Sequence, residues 1–372
     1  MSEASELRLL LTADAVGGVW THAVELAAGL SSAGVATTLA TLGPAPTPRQ
    51  IAAAEVYPGV TVAPTGLPLD WLARSAGEIS DAAEALAAFA RAASADVVHL
   101  HSAAYALADY GVPVIVSCHS CLATWWETMR DGPPAADFEW RVAATAHGHV
   151  AADRLVAPTA AFARATRAAY GLAHEPVVVP NGIGAAPRDE PVSPGAASVF
   201  TVGRLWDEAK DVATLDLAAA RIAVPFEAAG ALASPDGAAA IRLQTIQALG
   251  QLSADEVRAR LARRPVFASA ARYEPFGLAA LEAARAGCPL VLSDIPTLRE
   301  LWNGAALFAA PGDADGFADH IARLLDAPNE RAHFGALARQ RSRRFTRDAM
   351  TAGMLRLYRE ALSAPDHVGA AA

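Results

Sequence analysis

The chain has 372 residues, more than one hydrophobic core usually supports, and its 53% apolar content is ample for two cores, which excludes the disordered class. A formal net charge of −9 gives no basic face for nucleic acid and weakens the case for an anionic membrane as partner. Three cysteines argue against a disulfide framework and for a reducing cytoplasm.

Residues 1–12 carry Glu3, Glu6 and Arg8 before a short apolar run and lack the basic start and long apolar core of a secretion signal. No charge-free apolar run reaches the ~18 residues of a membrane span, so a cytoplasmic protein is expected. Leu7 to Thr12 reads as a strand and Gly17-Gly18 as a turn. Val19, Trp20, Ala23, Leu26, Ala27 and Leu30 mark one helix face, which Gly34 ends. Val35 to Leu42 returns as a second strand. Further strands are expected at Val60–Ala63, Val97–His101, Val112–Cys118, Leu155–Pro158 and Pro176–Pro180, with helices between several of them. This alternation predicts a doubly wound parallel sheet. Cys118-His119-Ser120-Cys121 is a lone C-x-x-C, without the second pair or ordered His ligands that a zinc site needs.

Gly184 to Ala197 is rich in Pro, Gly and charge and reads as a linker. It divides a first domain at 1–183 from a second at 198–346, leaving a helical segment at 347–372. Strands of the second domain are expected at Val199–Gly203, Pro225–Ala228, Ile246–Leu249, Pro265–Ser269 and Leu290–Ser293. Ser253-Ala254-Asp255-Glu256 has the form of a capping box. The basic run Arg339, Arg341, Arg343, Arg344 and Arg347 reads as a solvated helix face, with contact to lipid headgroups or to an acidic acceptor as the alternative.

The most informative stretch runs from Arg272 to Gly287. Glu274 falls in a loop after a buried strand, and Glu282 falls on the helix that Gly287 and Pro289 stop. Eight helical positions span roughly 12 Å at about 1.5 Å each, close to the reach of an extended nucleotide sugar. The N–H groups of Phe276, Gly277 and Leu278 would point out of the helix start, where an anion is favoured, leaving Glu274 for sugar hydroxyls and Glu282 for ribose. Upstream, Arg204 and Lys210 follow the first strand of the second domain, where both can reach one diphosphate.

This segment, with its Glu-Pro-Phe-Gly-Leu wording and E-x7-E spacing, resembles the signature of retaining glycosyltransferases of family 4, of the glycosyl transferases group 1 type. The resemblance implies an α/β protein of the GT-B fold, two doubly wound Rossmann-like domains facing each other across a cleft. The first would bind the acceptor and the second the nucleotide sugar, with the last helix crossing back to the first domain. It implies that Gly18 lies at a glycine turn, that His119 lies near the donor sugar, that Arg204 and Lys210 bind diphosphate, and that the Gly250 loop contacts the base. His101 ends another strand matched by the family, and either His99 or His101 also reads as a satisfied core residue. Where the family often has Pro-Ser before the first glutamate, this chain has Ala270-Ala271. Asp313-Ala314-Asp315 has the D-x-D form of metal-dependent transferases of another fold but lacks that context. No metal and no cofactor is therefore expected.

The function so implied is transfer of a sugar, with retention, from a nucleotide-diphosphate sugar to a hydroxyl of a glycan, lipid or small molecule. Glu274, His119, Arg204 and Lys210 would be the catalytic groups, and Gly18, Gly250, Phe276, Gly277, Leu278 and Glu282 would join the two cations in binding the donor. The alternatives are a sugar-nucleotide-binding protein without transferase activity and a hydrolase or epimerase acting on the donor.

Overall fold

The computed structural model describes residues 7–15, 17–184, 197–234 and 237–364. Residues 185–196 of the expected linker and 365–372 of the last segment lie outside them. The chain forms two compact units, Met1–Gly184 with Arg347–Ala372 and Ala185–Thr346.

The first unit is built on seven parallel strands: β1 (Arg8–Asp14), β2 (Ala36–Leu42), β3 (Val60–Pro64), β4 (Val97–Leu100), β5 (Val114–Ser117), β6 (Arg154–Ala157) and β7 (Val177–Val178). Their order is β3-β2-β1-β4-β5-β6-β7. Leu9, Leu10 and Leu11 are almost fully buried, as a strand covered on both faces requires. The helix Gly18–Ser32 packs Ala23, Leu26, Ala27 and Leu30 onto Leu9 and Leu11. The helix Arg347–Leu362 returns to this unit and adds Met350, Met354, Leu357 and Tyr358 to the same core. Its Arg347 pairs with Glu25 at 2.7 Å.

The second unit has six parallel strands: β8 (Val199–Val202), β9 (Phe226–Ala229), β10 (Gln247–Ala248), β11 (Val266–Ser269), β12 (Leu290–Ser293) and β13 (Leu307–Ala309), in the order β10-β9-β8-β11-β12-β13. Val199, Leu215, Val266, Val291 and Phe317 anchor its core. The capping box at Ser253 forms with Glu256.

Two strands are shorter than the apolar runs suggest. β7 and β10 are two-residue edges, and β7 is confined between Pro176 and Pro180, since proline cannot donate to a ladder. The D-x-D run is structural: Asp313 caps the helix Ala314–Asp326 through Gly316 N at 2.9 Å, and Asp315 pairs with Arg221. The basic run does not form one patch, because Arg341 donates to the carbonyls of Leu301 and Asn303 while Arg343 and Arg344 face solvent. Among the described residues no helix is long and apolar enough to cross a membrane.

Candidate functional site

Each sheet reverses its strand order once, between β1 and β4 and between β8 and β11. In a parallel sheet, the crevice beyond the carboxyl ends of such a pair is where ligands collect. The chemistry-bearing residues of this chain sit on loops at the carboxyl ends of the two sheets and on the first turns of the helices that follow them.

In the second unit, β8 runs into Gly203–Asp211. Lys210 Nζ reaches across to Glu274 Oε2 at 2.8 Å, with both side chains about one-fifth exposed. The two loops are stitched together by the Ala209 carbonyl, which accepts the amides of Arg272 and Tyr273 at 2.9 and 3.3 Å. Thr297 Oγ1 donates to the Glu274 carbonyl at 2.6 Å, so Glu274 is held through backbone and side chain. Arg204 turns to Asp207, its Nε and Nη2 lying 3.1 and 2.7 Å from Oδ2. Glu274 is therefore not the free carboxylate suggested by the sequence, and neither cation is unpaired. The cause is that β8 and β11 are neighbours in the sheet, which brings their loops within ion-pair reach.

The helix Leu278–Ala286 follows. Gly277 is its N-cap at φ +86°, a left-handed conformation that side chains rarely adopt, and an added Cβ would lie 3.4 Å from Glu274 Cγ and Leu298 Cδ2. No side chain caps this helix and its first turn carries no acid, so the amides of Leu278, Ala279 and Ala280 precede the first intrahelical bond, which Leu281 N makes to the Gly277 carbonyl at 3.1 Å. Phe276 is buried and packs edge-on against Phe345, leaving its side chain to the core. Glu282 is half-buried one turn into the helix. Gly250, at φ +70°, accepts the Gly230 amide at 2.8 Å beyond the end of β10.

In the first unit, the loop after β1 carries Gly17, whose amide donates to Asp14 Oδ1 at 3.1 Å, and Gly18 opens the following helix. One turn in, His22 is 4% exposed. It meets His101 beyond β4 and His119 beyond β5, with ring centroids 5.2 and 4.2 Å away. Burial holds His22 and His119 well below the usual imidazole range, helped by the neighbouring imidazoles, and it lowers His101 to about 4. All three are neutral acceptors or donors at neutral pH. His99 is the satisfied core residue of its strand, bonded to Tyr358 Oη at 2.8 Å and Ser117 Oγ at 2.7 Å. Cys118 and Cys121 form no disulfide, both thiols are pushed up by burial, and Cys121 bonds to Thr124 Oγ1 at 2.9 Å.

Residues 16–186 match the family model Glycosyltransferase Family 4, and residues 238–341 match Glycosyl transferases group 1. The chain belongs to these glycosyltransferase families. Among curated relatives, it is 41% identical over 101 residues to a glycogen synthase of Mycobacterium tuberculosis, 27% of this chain and 24% of that protein. It is 40% identical over 92 residues to a D-inositol 3-phosphate glycosyltransferase of Frankia alni, 24% of this chain and 23% of that one. These matches thus span about a quarter of each relative's length. Likeness of fold extends much further. A sucrose-phosphate synthase from Thermosynechococcus elongatus superposes with a TM-score of 0.78 at 18% identity, covering 97% of this chain and 100% of that one. HepE from Anabaena, in complex with UDP and glucose, gives 0.69 at 17% identity, over 95% and 99% of the two chains. This family member has the GT-B fold.

Sequence reasoning missed His22, which looks like one more residue on an amphipathic helix. It also missed Asp70, whose carboxyl is raised by burial and accepts a hydrogen bond from Ser102 Oγ at 2.6 Å, next to His101. Only adjacency in the folded sheet reveals either one.

Proposed function

We propose that the chain moves a sugar from a nucleotide-diphosphate sugar to a hydroxyl of an acceptor, with retention at the anomeric carbon. The observation that carries this reading is the Lys210–Glu274 pair beside the uncapped start of the helix Leu278–Ala286, at the strand-order reversal of the second sheet. The family supports it, as does the presence of UDP and glucose in HepE.

A diphosphate arriving at the first helical amides finds donors aligned with the macrodipole. It draws Lys210 from Glu274 and Arg204 from Asp207, and the two cations then offset the charge that grows on the departing nucleoside diphosphate. Glu274, released, accepts from sugar hydroxyls, while Glu282 accepts from ribose and the Gly250 backbone contacts the base. The bond from the anomeric carbon to phosphate oxygen breaks as the bond to the acceptor oxygen forms on the same face. The acceptor proton passes to the leaving phosphate. No metal enters these steps. The first unit takes the acceptor, and Gly18 and His119 are its contribution to the reaction.

The test is a thermal-shift screen against nucleotide-diphosphate sugars, in which a ligand at 100 times its dissociation constant adds about 2.7 kcal/mol to stability. Incubation of the stabilising donor with candidate acceptors follows, with the anomeric configuration of the product read by NMR. A donor that stabilises but is only hydrolysed or epimerised, or a product of inverted configuration, overturns the reading.

A further inference from the structure

Four histidines gather at the carboxyl ends of β1, β4 and β5, with His99 inside β4 and His22, His101 and His119 beyond the strands, and they differ in one respect. Both ring nitrogens of His99 are bonded, which accounts for it. By contrast, Nε2 of His101 and Nε2 of His119 are buried with no hydrogen-bond partner, and His22, which has the Asn181 side chain within hydrogen-bonding reach, keeps at least one such nitrogen. A buried polar atom left unpaired costs roughly 1–3 kcal/mol, and here at least three converge from one helix and two loops. A crevice against His22 and His119 is also lined by Ser117 and Asn181. A cation accepts lone pairs from several imidazole nitrogens at once.

We propose that His22, His101 and His119 form a binding site for a divalent transition-metal ion of the zinc class. Each ring offers one nitrogen, and the three lie within 4.8 Å of one another. Donors at the corners of such a triangle come to a common Zn–N distance of ~2.0–2.1 Å by movements of about 0.7 Å or less. His101 Nδ1 is bonded to the Thr12 carbonyl, which pins the ring and leaves Nε2 bare, the outer-shell arrangement typical of histidine ligands. An all-imidazole set suits zinc, copper or nickel and does not suit calcium or magnesium, which take oxygen ligands. Three protein ligands leave the fourth position of a tetrahedral ion to water or an anion. The ligands come from the start of the helix Gly18–Ser32 and from the loops after β4 and β5, so no short-range spacing motif announces them.

The site involves no residue of the second unit and goes beyond the proposed transfer. The two meet at one atom, because an ion on His119 Nε2 withholds that ring from the reaction, so metal occupancy and transfer are opposed.

The experiment is titration of the chelator-stripped full chain with Zn2+ by calorimetry and with Co2+ by visible absorption. One equivalent is expected to bind, with the intense absorption of four-coordinate Co2+. The substitutions His101→Gln and His119→Gln are each expected to weaken binding at least tenfold, and His149→Asn to leave it unchanged. Absence of stoichiometric uptake overturns the proposal, as does undiminished affinity in both glutamine variants. If those variants do not fold, the Co2+ spectrum of the unaltered chain decides, and a weak six-coordinate spectrum rejects the site. Because the readout is bound metal, failure of sugar transfer leaves this result standing, and the reverse also holds.

Discussion

The two sheets reverse strand order in the same way, yet their carboxyl edges carry opposite chemistry. Beyond β1, β4 and β5 stand neutral imidazoles, buried together with His22 edge-on to His101 and His119, their protons removed by desolvation. Beyond β8 and β11 stand formal charges in pairs, Lys210 with Glu274 and Arg204 with Asp207, each partly open to solvent. The difference is one of cost. Neutral rings can be packed tightly and remain when no ligand is present, whereas unpaired charges in a crevice have to be neutralised by one another until an anion replaces one partner. The second edge is thus preset for exchange, and the first for geometry.

The largest effect that breaks this contrast is expected at Glu274. Glu274→Ala frees Lys210 to hold phosphate, so nucleotide affinity stays within about threefold, while turnover falls on the order of 1,000-fold, equivalent to ~4 kcal/mol in the barrier. Calorimetry with the nucleoside diphosphate beside a kinetic assay separates the two. Equal losses in both would show that the pair is a binding element and that Glu274 has no place in the transition state.

Acid is expected to strike the first unit selectively. The unfolded chain protonates its histidines near pH 6.5, whereas His101 and His149 are held at about 4 in the fold and His99 lower than usual. Stability is therefore complete above pH 6.5 and is lost as pH falls toward 4, at about 1.4 kcal/mol per pH unit per histidine, or about 3 kcal/mol for His101 alone. Hydrogen exchange read by mass spectrometry, with chelator present, should show β4 and β5 opening at pH 5 while β8 and β11 stay protected. Uniform loss across both sheets would contradict the buried, neutral state of these rings.

A steric change sharpens the comparison from the other side. Gly230, at φ +141°, sits between the ends of β8 and β10, and an added Cβ would lie 1.8 Å from the Gly203 carbonyl oxygen. Gly230→Ala is expected to destabilise the second unit by about 2 kcal/mol through overpacking and backbone strain. The readout is the same exchange experiment, now with the protection pattern reversed. A melting curve unchanged from the parent would mean that the backbone there yields freely.

Much of this was legible in the chain itself, for physical reasons. Strands buried on both faces read as apolar runs, so β1, β2 and β11 were plain, while the three-residue Leu307–Ala309 was too short to stand out. The loop and helix placement of Glu274 and Glu282 followed from Gly277, Gly287 and helix propensity, all local signals. What was not legible depends on sheet order. Residues 204–210 and 274 are distant in the chain, and only the adjacency of β8 and β11 turns Lys210 and Glu274 into partners. His22 was hidden for the same reason, since its neighbours arrive from β4 and β5.

The smallest effects concern the two cations, and they test whether pairing in the resting site predicts contribution to binding. Lys210 is about one-fifth exposed and sits against Glu274, while Arg204 is nearly half exposed and can leave Asp207 at little cost. Both lose a charge-assisted contact to phosphate when truncated, but the Lys210 contact forms in the less solvated place and is screened less. Lys210→Met is therefore expected to weaken nucleoside diphosphate about tenfold, or ~1.4 kcal/mol, and Arg204→Ala about threefold, or ~0.7 kcal/mol. Raising salt should narrow the Arg204 effect first. If Arg204→Ala proves the more damaging at every ionic strength, the diphosphate lies nearer the β8 turn than the start of the helix Leu278–Ala286, and the exchange between Glu274 and phosphate for Lys210 loses its basis.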